Sequence, residues 1–269
     1  MKPGPAGAVR VARFVLQPAG EAHWSPWSPS STSLTTGFAA PALWGLTTLS
    51  GEIRVADGPL GTLSTVESGS VTFSSIARDD VVVWATQTAA GKGVLRAFRP
   101  AAKTVWTLVD QEGLNPVRVS ASATDLYWVA VGGPDWSTGT YAKASLWYAA
   151  LSADTTDVNP AFVADLPATT GLADLHVGGG FASTIGCGQD ADVGAVTCSL
   201  LVVSLSAAKV WRIQNRPGKS FQRVLNVTSS EILLGEADHI ADPSAAQRID
   251  SLVRLSTVDL GKLAKGWPR

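Results

Sequence analysis

Three polar segments, each set between apolar β-type runs, hold the residues that could do chemistry. GEADHIADPSAAQRID (235–250) carries Glu236, Asp238, His239 and Asp242, the densest group of titratable side chains in the chain. Carboxylates beside an imidazole can ligate a divalent ion or share general acid–base work, and the same set can equally be a hydrogen-bonded surface loop. GCGQDADVGAVTC (186–198) places Asp190 and Asp192 between glycines. Paired carboxylates suit Ca²⁺, which takes about 6–8 oxygen ligands, but the further acidic positions of an EF-hand are missing, and a solvated loop explains them as well. GGPDWSTGTYAK (132–143) offers Asp135, Trp136 and Tyr141. An indole beside a carboxylate and hydroxyls can stack on a sugar ring or a peptide side chain, or it can pack its own loop onto the sheet beneath.

Other candidates stand alone. His23 and His176 are far apart in sequence, and His176 alternates with apolar residues on an expected strand, which suits a buried or channel-lining residue, with a ligand role in a central channel as the alternative. Asn226-Val-Thr228 fits a glycosylation sequon but falls on an expected strand. There is no G-x-S-x-G, no H-E-x-x-H and no G-x-x-x-x-G-K-[ST]. Cys187 and Cys198 are the only two cysteines and flank one polar loop. Two strands joined by that loop could bring the sulfurs within bonding distance, against two free thiols as the alternative, and a disulfide implies an oxidising compartment.

Composition narrows the classes. Of 269 residues only 16% are charged, with a formal net charge of −1. Nucleic acid is excluded as a partner, because phosphate binding needs a basic surface, and no polybasic membrane anchor is present. No apolar run approaches the roughly 20 residues of a membrane helix. The opening MKPGPAGAVRVARF lacks the apolar core of a signal peptide. The protein is then cytosolic, or its export signal has been removed; the cysteines and sparse charge favour a secreted, periplasmic or cell-surface protein.

The elements that must hold these loops are strands, and they repeat. In NPVRVSASATDLYWVAVGGPDWSTGTYAKASLWYAALSAD (115–154) the expected strands are Val117–Ala121, Leu126–Val131 and Ser145–Leu151, with a fourth at Ala161–Asp165. PALWGLTT, GEIRVADG and GTLSTVE repeat strands two to four at 41–67, and SVTFSSIA, VVVWATQ, GVLRAFRP and KTVWTLV give a further set at 70–109. Two later sets cover 171–214 and 221–267, the last ending in GKLAKGW (261–267). Trp44, Trp84 and Trp128 take equivalent second-strand places, 40 and 44 residues apart. Four strands at such a period mark a β-propeller blade, against a plain β-sandwich as the alternative. The expected fold is all-β: one propeller domain over 1–269, with five complete four-stranded blades over 37–269. Val9–Leu16 and AHWSPW within 1–36 supply an N-terminal half blade. Six-fold closure is slightly favoured over five-fold.

The run GLNPVRVSASATDLYWV resembles the GL-x-P-x-x-I-A-V-D…L-Y-W-T-D segment of YWTD and NHL-type propellers. Leu114, Pro116, Val119, Asp125, Leu126, Tyr127 and Trp128 match, and Asp80 with Val83-Trp84-Ala85-Thr86 repeats the frame one blade earlier. The match covers about residues 60–155. The terminal Asp of the motif is absent, with Gln87 and Ala130 near its place. The resemblance implies the fold, as in secreted propellers of high-GC bacteria, and not a receptor function; the carboxylate-and-Asn constellation of lactonase-like propellers is not seen.

These readings lead to an extracytoplasmic binding or scaffold protein. Its long-loop face would take a protein, glycan or envelope component, with no cofactor beyond the Ca²⁺ option at Asp190 and Asp192. The alternative is a small-molecule hydrolase or lactonase-like enzyme working through Glu236, Asp238 and His239. The chain is expected to be a monomer or part of a longer envelope protein.

Overall fold

A computed structural model describes residues 9–11, 14–16, 22–24, 28–30, 34–40, 43–48, 51–57, 61–78, 80–88, 91–110, 113, 115–122, 124–135, 140–151, 158–167, 171–189, 196–238 and 249–266. The N-terminal segment holds four short strands, β1 (Val9–Val11), β2 (Phe14–Leu16), β3 (Ala22–Trp24) and β4 (Ser28–Ser30). β1 pairs with β4 and β2 with β3. Val9–Leu16, expected as one strand, is therefore two strands of different sheets. Pro29 within β4 has no N–H to give a ladder, in keeping with so short a pairing.

Two antiparallel four-stranded sheets follow. One orders β5 (Leu34–Ala40), β6 (Leu43–Thr48), β7 (Ile53–Asp57) and β8 (Ser64–Glu67). The other orders β9 (Val71–Arg78), β10 (Val81–Gln87), β11 (Gly93–Arg99) and β12 (Thr104–Val109). Their hairpins share one chemistry. The amide of Thr48 bonds Glu52 O at 3.0 Å and that of Gly51 bonds Thr48 O, and the same two bonds recur at Thr88, Lys92 and Gly91. Trp44 and Trp84 each stand four residues before that threonine, which is the equivalence the sequence repeat implied. Leu43, Ile53 and Val55 of the first sheet pack with Val82, Trp84 and Phe98 of the second, and this apolar layer joins the two. Trp84 is completely buried there, whereas Trp44 is half-buried.

The chain divides into two compact units, Met1–Leu108 and Val109–Arg269. The second contains β13 (Asn115–Ala121), β14 (Asp125–Asp135), β15 (Thr140–Ala150) and β16 (Ala161–Leu166) in one sheet. The next sheet has β17 (Gly171–Gly178), β18 (Phe181–Gln189), β19 (Val196–Ser204) and β20 (Lys209–Gln214). The third has β21 (Lys219–Val227), β22 (Glu231–Asp238) and β23 (Ser251–Ser256). One closing bond recurs in all three: the amide after the third strand returns to the turn between the first two, as Leu151 N to Thr124 O, Leu205 N to Gly180 O and Thr257 N to Ser230 O. In two of those turns a hydroxyl accepts from the amide three residues on, Ser122 from Asp125 and Thr228 from Glu231. This local side-chain bond fixes the reversal. Ile185, Leu200, Val202 and Ile213 pack against Phe221, Val224, Ile232, Leu234 and Leu255 to form the core between the second and third sheets.

The last set departs from expectation. GKLAKGW is not a fourth strand: a 3₁₀ turn at Thr257–Asp259 leads into a short helix, α1 (Leu260–Leu263). Its residues carry helical spacing. Leu260 and Leu263 turn to the core together, Leu260 being only 1% exposed, and Lys262 bonds Asp259 at 2.9 Å across one turn. No β-branched residue in 260–266 favours the extended form. Among the described residues the sheet β21–β22–β23 has three strands rather than four.

Candidate functional site

The second unit presents its three long connections at one common end of its sheets. Gly178, at the end of β17, lies so close to the end of β21 that a Cβ there would stand 2.1 Å from Val227 O. β17 and β21 therefore run side by side in the same direction. A cleft shared by Ser122, just past β13, and Gly178–Gly180, just past β17, aligns those two strands likewise. With all three first strands parallel, the β14–β15, β18–β19 and β22–β23 connections leave from the opposite, shared end.

The connections are shorter than the sequence suggested, because the strands run on into them. β14 and β15 stay paired through Gly132↔Lys143 and Pro134↔Tyr141 to Asp135↔Thr140. Most of the segment expected as a loop at 132–143 is thus a two-stranded ribbon, with Asp135 and Tyr141 in its strands; Trp136 lies outside the described residues. β18 and β19 pair as far as Gln189↔Val196, and Asp190 and Asp192 fall outside the described residues. Just below, Cys187 and Cys198 face each other across the ladder and form a disulfide, with Cα atoms 3.9 Å apart. β22 ends at Asp238, and His239 and Asp242 lie outside the described residues.

Glu236 is the candidate whose surroundings are best defined. It is fully buried on β22. Arg216, between β20 and β21, donates to it from Nε at 3.2 Å and also from Nη2. Ser251 Oγ donates to Oε1 at 3.0 Å. Both carboxylate oxygens are engaged, one prong of the guanidinium on each. A carboxylate held this way is a tie between strand ends, since removing a proton from substrate would require it to give up its fixed cation. Among the described residues no group of three or more His, Cys, Asp or Glu is placed to hold a metal ion.

His176 is half-buried on β17, beside a bulge between Ala173 and His176 where Asp174 takes φ +50°. Burial lowers its pKa, with Asp174 pulling it partly back and Arg223 pushing it further down.

Two arrangements were not singled out from sequence. In the first unit Glu67, at the end of β8, accepts from Trp84 Nε1 at 2.6 Å, Arg96 Nη1 at 2.7 Å and Ser70 Oγ at 2.9 Å. The signal was an acidic residue closing STVE, one hairpin ahead of a buried Trp. In the second unit Tyr127 and Tyr148 stack with centroids 5.8 Å apart. They line a cleft of about 460 Å³ with Val163, Leu205 and the Gly178–Gly180 backbone. It sits at the end opposite the long connections. The mirrored order of Tyr127-Trp128 and Trp147-Tyr148, which pairs Tyr with Tyr and Trp with Trp across the ladder, is its trace in the sequence.

No protein-family model matches the sequence, and no curated protein sequence matches it. Solved structures do. The tricorn protease aligns over 90% of this chain and 27% of its own, with a TM-score of 0.58 and 8% identity. The β-propeller domain of the Trilobed protease from Pyrococcus furiosus aligns over 84% of this chain and 68% of its own, at 0.50 and 8%. YCF48, solved bound to a D1 peptide, aligns over 97% of this chain and 85% of its own, at 0.50 and 11%. The chain spans about a quarter of the tricorn chain, and at these identities the likeness is one of fold: an all-β, propeller-type architecture built from four-stranded antiparallel sheets.

Proposed function

We propose that the protein is a β-propeller binding scaffold that works outside the cytoplasm and recognises a protein, glycan or envelope component through the shared end of β14, β18 and β22. The observation that carries this reading is the common direction of the three long connections on neighbouring sheets, each rooted in a fixed strand end. A rigid scaffold with its longest loops gathered at one end is how binding surfaces are commonly built. The candidates Asp135, Trp136, Tyr141, Asp190, Asp192, Asp238, His239 and Asp242 all lie on those connections or strand ends. An aromatic with several carboxylates would favour a cationic or polyhydroxylated ligand over an anion. The Cys187–Cys198 disulfide supports an oxidising compartment. We read residues 1–269 as one propeller domain, with 1–36 completing the ring, because solved propellers align across most of the chain, and as one of the YWTD/NHL type because of the resemblance around Leu126-Tyr127-Trp128. The peptide complex of YCF48 offers a precedent for a polypeptide ligand on this fold.

The hydrolase alternative is weakened at one residue, since Glu236 is committed to Arg216 and Ser251. The test is a glycan array and an envelope-extract crosslinking experiment with wild type and the variants Trp136→Ala and Asp238→Asn/Asp242→Asn. Saturable capture lost in the variants supports the reading. Capture unaffected by all of them, or turnover of lactone and ester substrates abolished by His239→Ala, overturns it.

A further inference from the structure

Among the described residues the sheet β21–β22–β23 ends on an open edge. Every other sheet from β5 onward has four strands, and this one has three, with β23 outermost. The ladder shows which backbone groups point outward. Thr257 N bonds Ser230 O, so that pair exchanges its hydrogen bonds inward, and in an antiparallel ladder every second residue does the same. Ser251, Val253 and Leu255 therefore direct N–H and C=O at β22, while Leu252, Arg254 and Ser256 direct theirs away from the sheet. No strand among the described residues pairs with that side.

The edge has few of the features that close such edges to strangers. It contains no proline, its one charge is Arg254, and Leu252 beside it is 63% exposed. The segment that would have filled the fourth-strand place turns into α1, where Leu260 is buried in the core shared with β20 and β21. A groove of about 540 Å³ remains between β23 and that helix, lined by Arg254, Leu255, Ser256, Asp259, Lys262 and Leu263. Its charges are unequal: Asp259 is matched by Lys262, which leaves Arg254 uncompensated within the lining.

We propose that the outer edge of β23 is a strand-addition site for an extended segment of a partner protein that alternates acidic and apolar residues. The backbone of the guest supplies the fourth strand, bonding Leu252, Arg254 and Ser256. An acidic side chain on its outer face meets Arg254, and apolar side chains on the other face enter the groove against Leu255 and Leu263. The backbone bonds give affinity and the alternate side chains give selectivity. This site lies along the outer side of β23, whose Leu252 end adjoins the β22–β23 connection.

The test uses the full chain and a fluorescent eight-residue peptide of alternating glutamate and valine, read by polarisation, beside the same peptide with lysine for glutamate. The glutamate peptide is expected to bind at least tenfold tighter than the lysine peptide, and Arg254→Glu should reverse the order. Arg254→Pro removes the guanidinium together with an N–H that points away from the sheet, so it should leave the melting curve intact and weaken binding at least tenfold. N-methylation of alternate peptide amides should abolish binding in one register and spare it in the other, which a merely electrostatic contact would not do. Equal binding to Arg254→Pro, or no binding to wild type at millimolar peptide, overturns the proposal. So do two other results: a wild-type dimer that Arg254→Pro makes monomeric, which assigns the edge to a second copy, and strong exchange protection of the 252, 254 and 256 amides without peptide, which assigns it to this chain's own residues.

Discussion

Trp84 and Trp128 fill the same place in neighbouring repeats, both wholly buried, yet their indole N–H groups meet opposite conditions. Trp84 Nε1 donates to Glu67 at 2.6 Å, while Trp128 Nε1 is buried with no acceptor among the described residues. Replacing each by Phe removes nearly the same aromatic volume, so the packing loss is common to both. Trp84→Phe also removes a donor to a buried carboxylate, worth about 1.5–3 kcal/mol. Trp128→Phe instead removes an unsatisfied donor, returning about 1–3 kcal/mol. Trp84→Phe is therefore expected to be the more destabilising by about 3 kcal/mol or more. Urea unfolding followed by far-UV circular dichroism measures it, with the two units fitted separately if their transitions part. Glu67→Gln alone and combined with Trp84→Phe completes a cycle, in which the pair should couple by more than about 1 kcal/mol. Equal losses in the two Phe variants, or an additive cycle, would refute the assignment of the Trp84–Glu67 bond as a stabilising link between the sheets.

Reduction of Cys187–Cys198 should lower stability by about 3 kcal/mol in the chain-entropy model, given a separation of 11 residues, and thiol titration of denatured, unreduced protein should find no free thiol. Because His176 has a lowered folded-state pKa, its contribution is complete above the unfolded value of about 6.5 and is lost as pH falls from there through the folded value. His176→Gln should remove that part of the acid-side decline, seen as melting curves that converge toward wild type at low pH. Arg216→Ala leaves Glu236 buried with Ser251 alone. Since the Arg216 side chain is 41% exposed, the expected cost is about 2–3 kcal/mol, below that of a fully buried pair, and Glu236→Gln in the same background should recover part of it in the same unfolding assay.

The repeat was legible because it is written in large residues at fixed places. Trp84 and Trp128 sit one strand before a hairpin, and Thr48 and Thr88 repeat the hairpin itself, so period and strand order could be read together. The fourth strands were harder. TVWTLV and KVWRIQ carry β-branched and aromatic residues, but GKLAKGW matches them by position alone, and the spacing of its Leu263 from Leu260 belongs to a helix. The loop lengths misled for a related reason: ladder pairing through Gly132, Pro134, Gly188 and Gln189 depends on a partner strand across the hairpin, which residue propensity does not encode. Among candidate site residues, the sequence identified Glu236 by its acidic neighbours and missed Arg216, which lies 20 positions away and meets it only through the fold. Glu67 went unremarked because a lone carboxylate at a strand end has no local feature to distinguish a buried tie from a solvated charge.

The disulfide across β18 and β19 also changes what cutting the chain can do. Because Cys187 and Cys198 are joined directly across the ladder, residues 188–197 form a closed covalent loop on an otherwise linear molecule. A protease that cleaves inside it leaves two fragments held at their native positions, and they part on a gel only after reductant is added. The same closure makes this connection suited to grafting: foreign sequence inserted between Gln189 and Val196 would have its two ends tethered by the bond and by the β18–β19 ladder, independently of what the insert does.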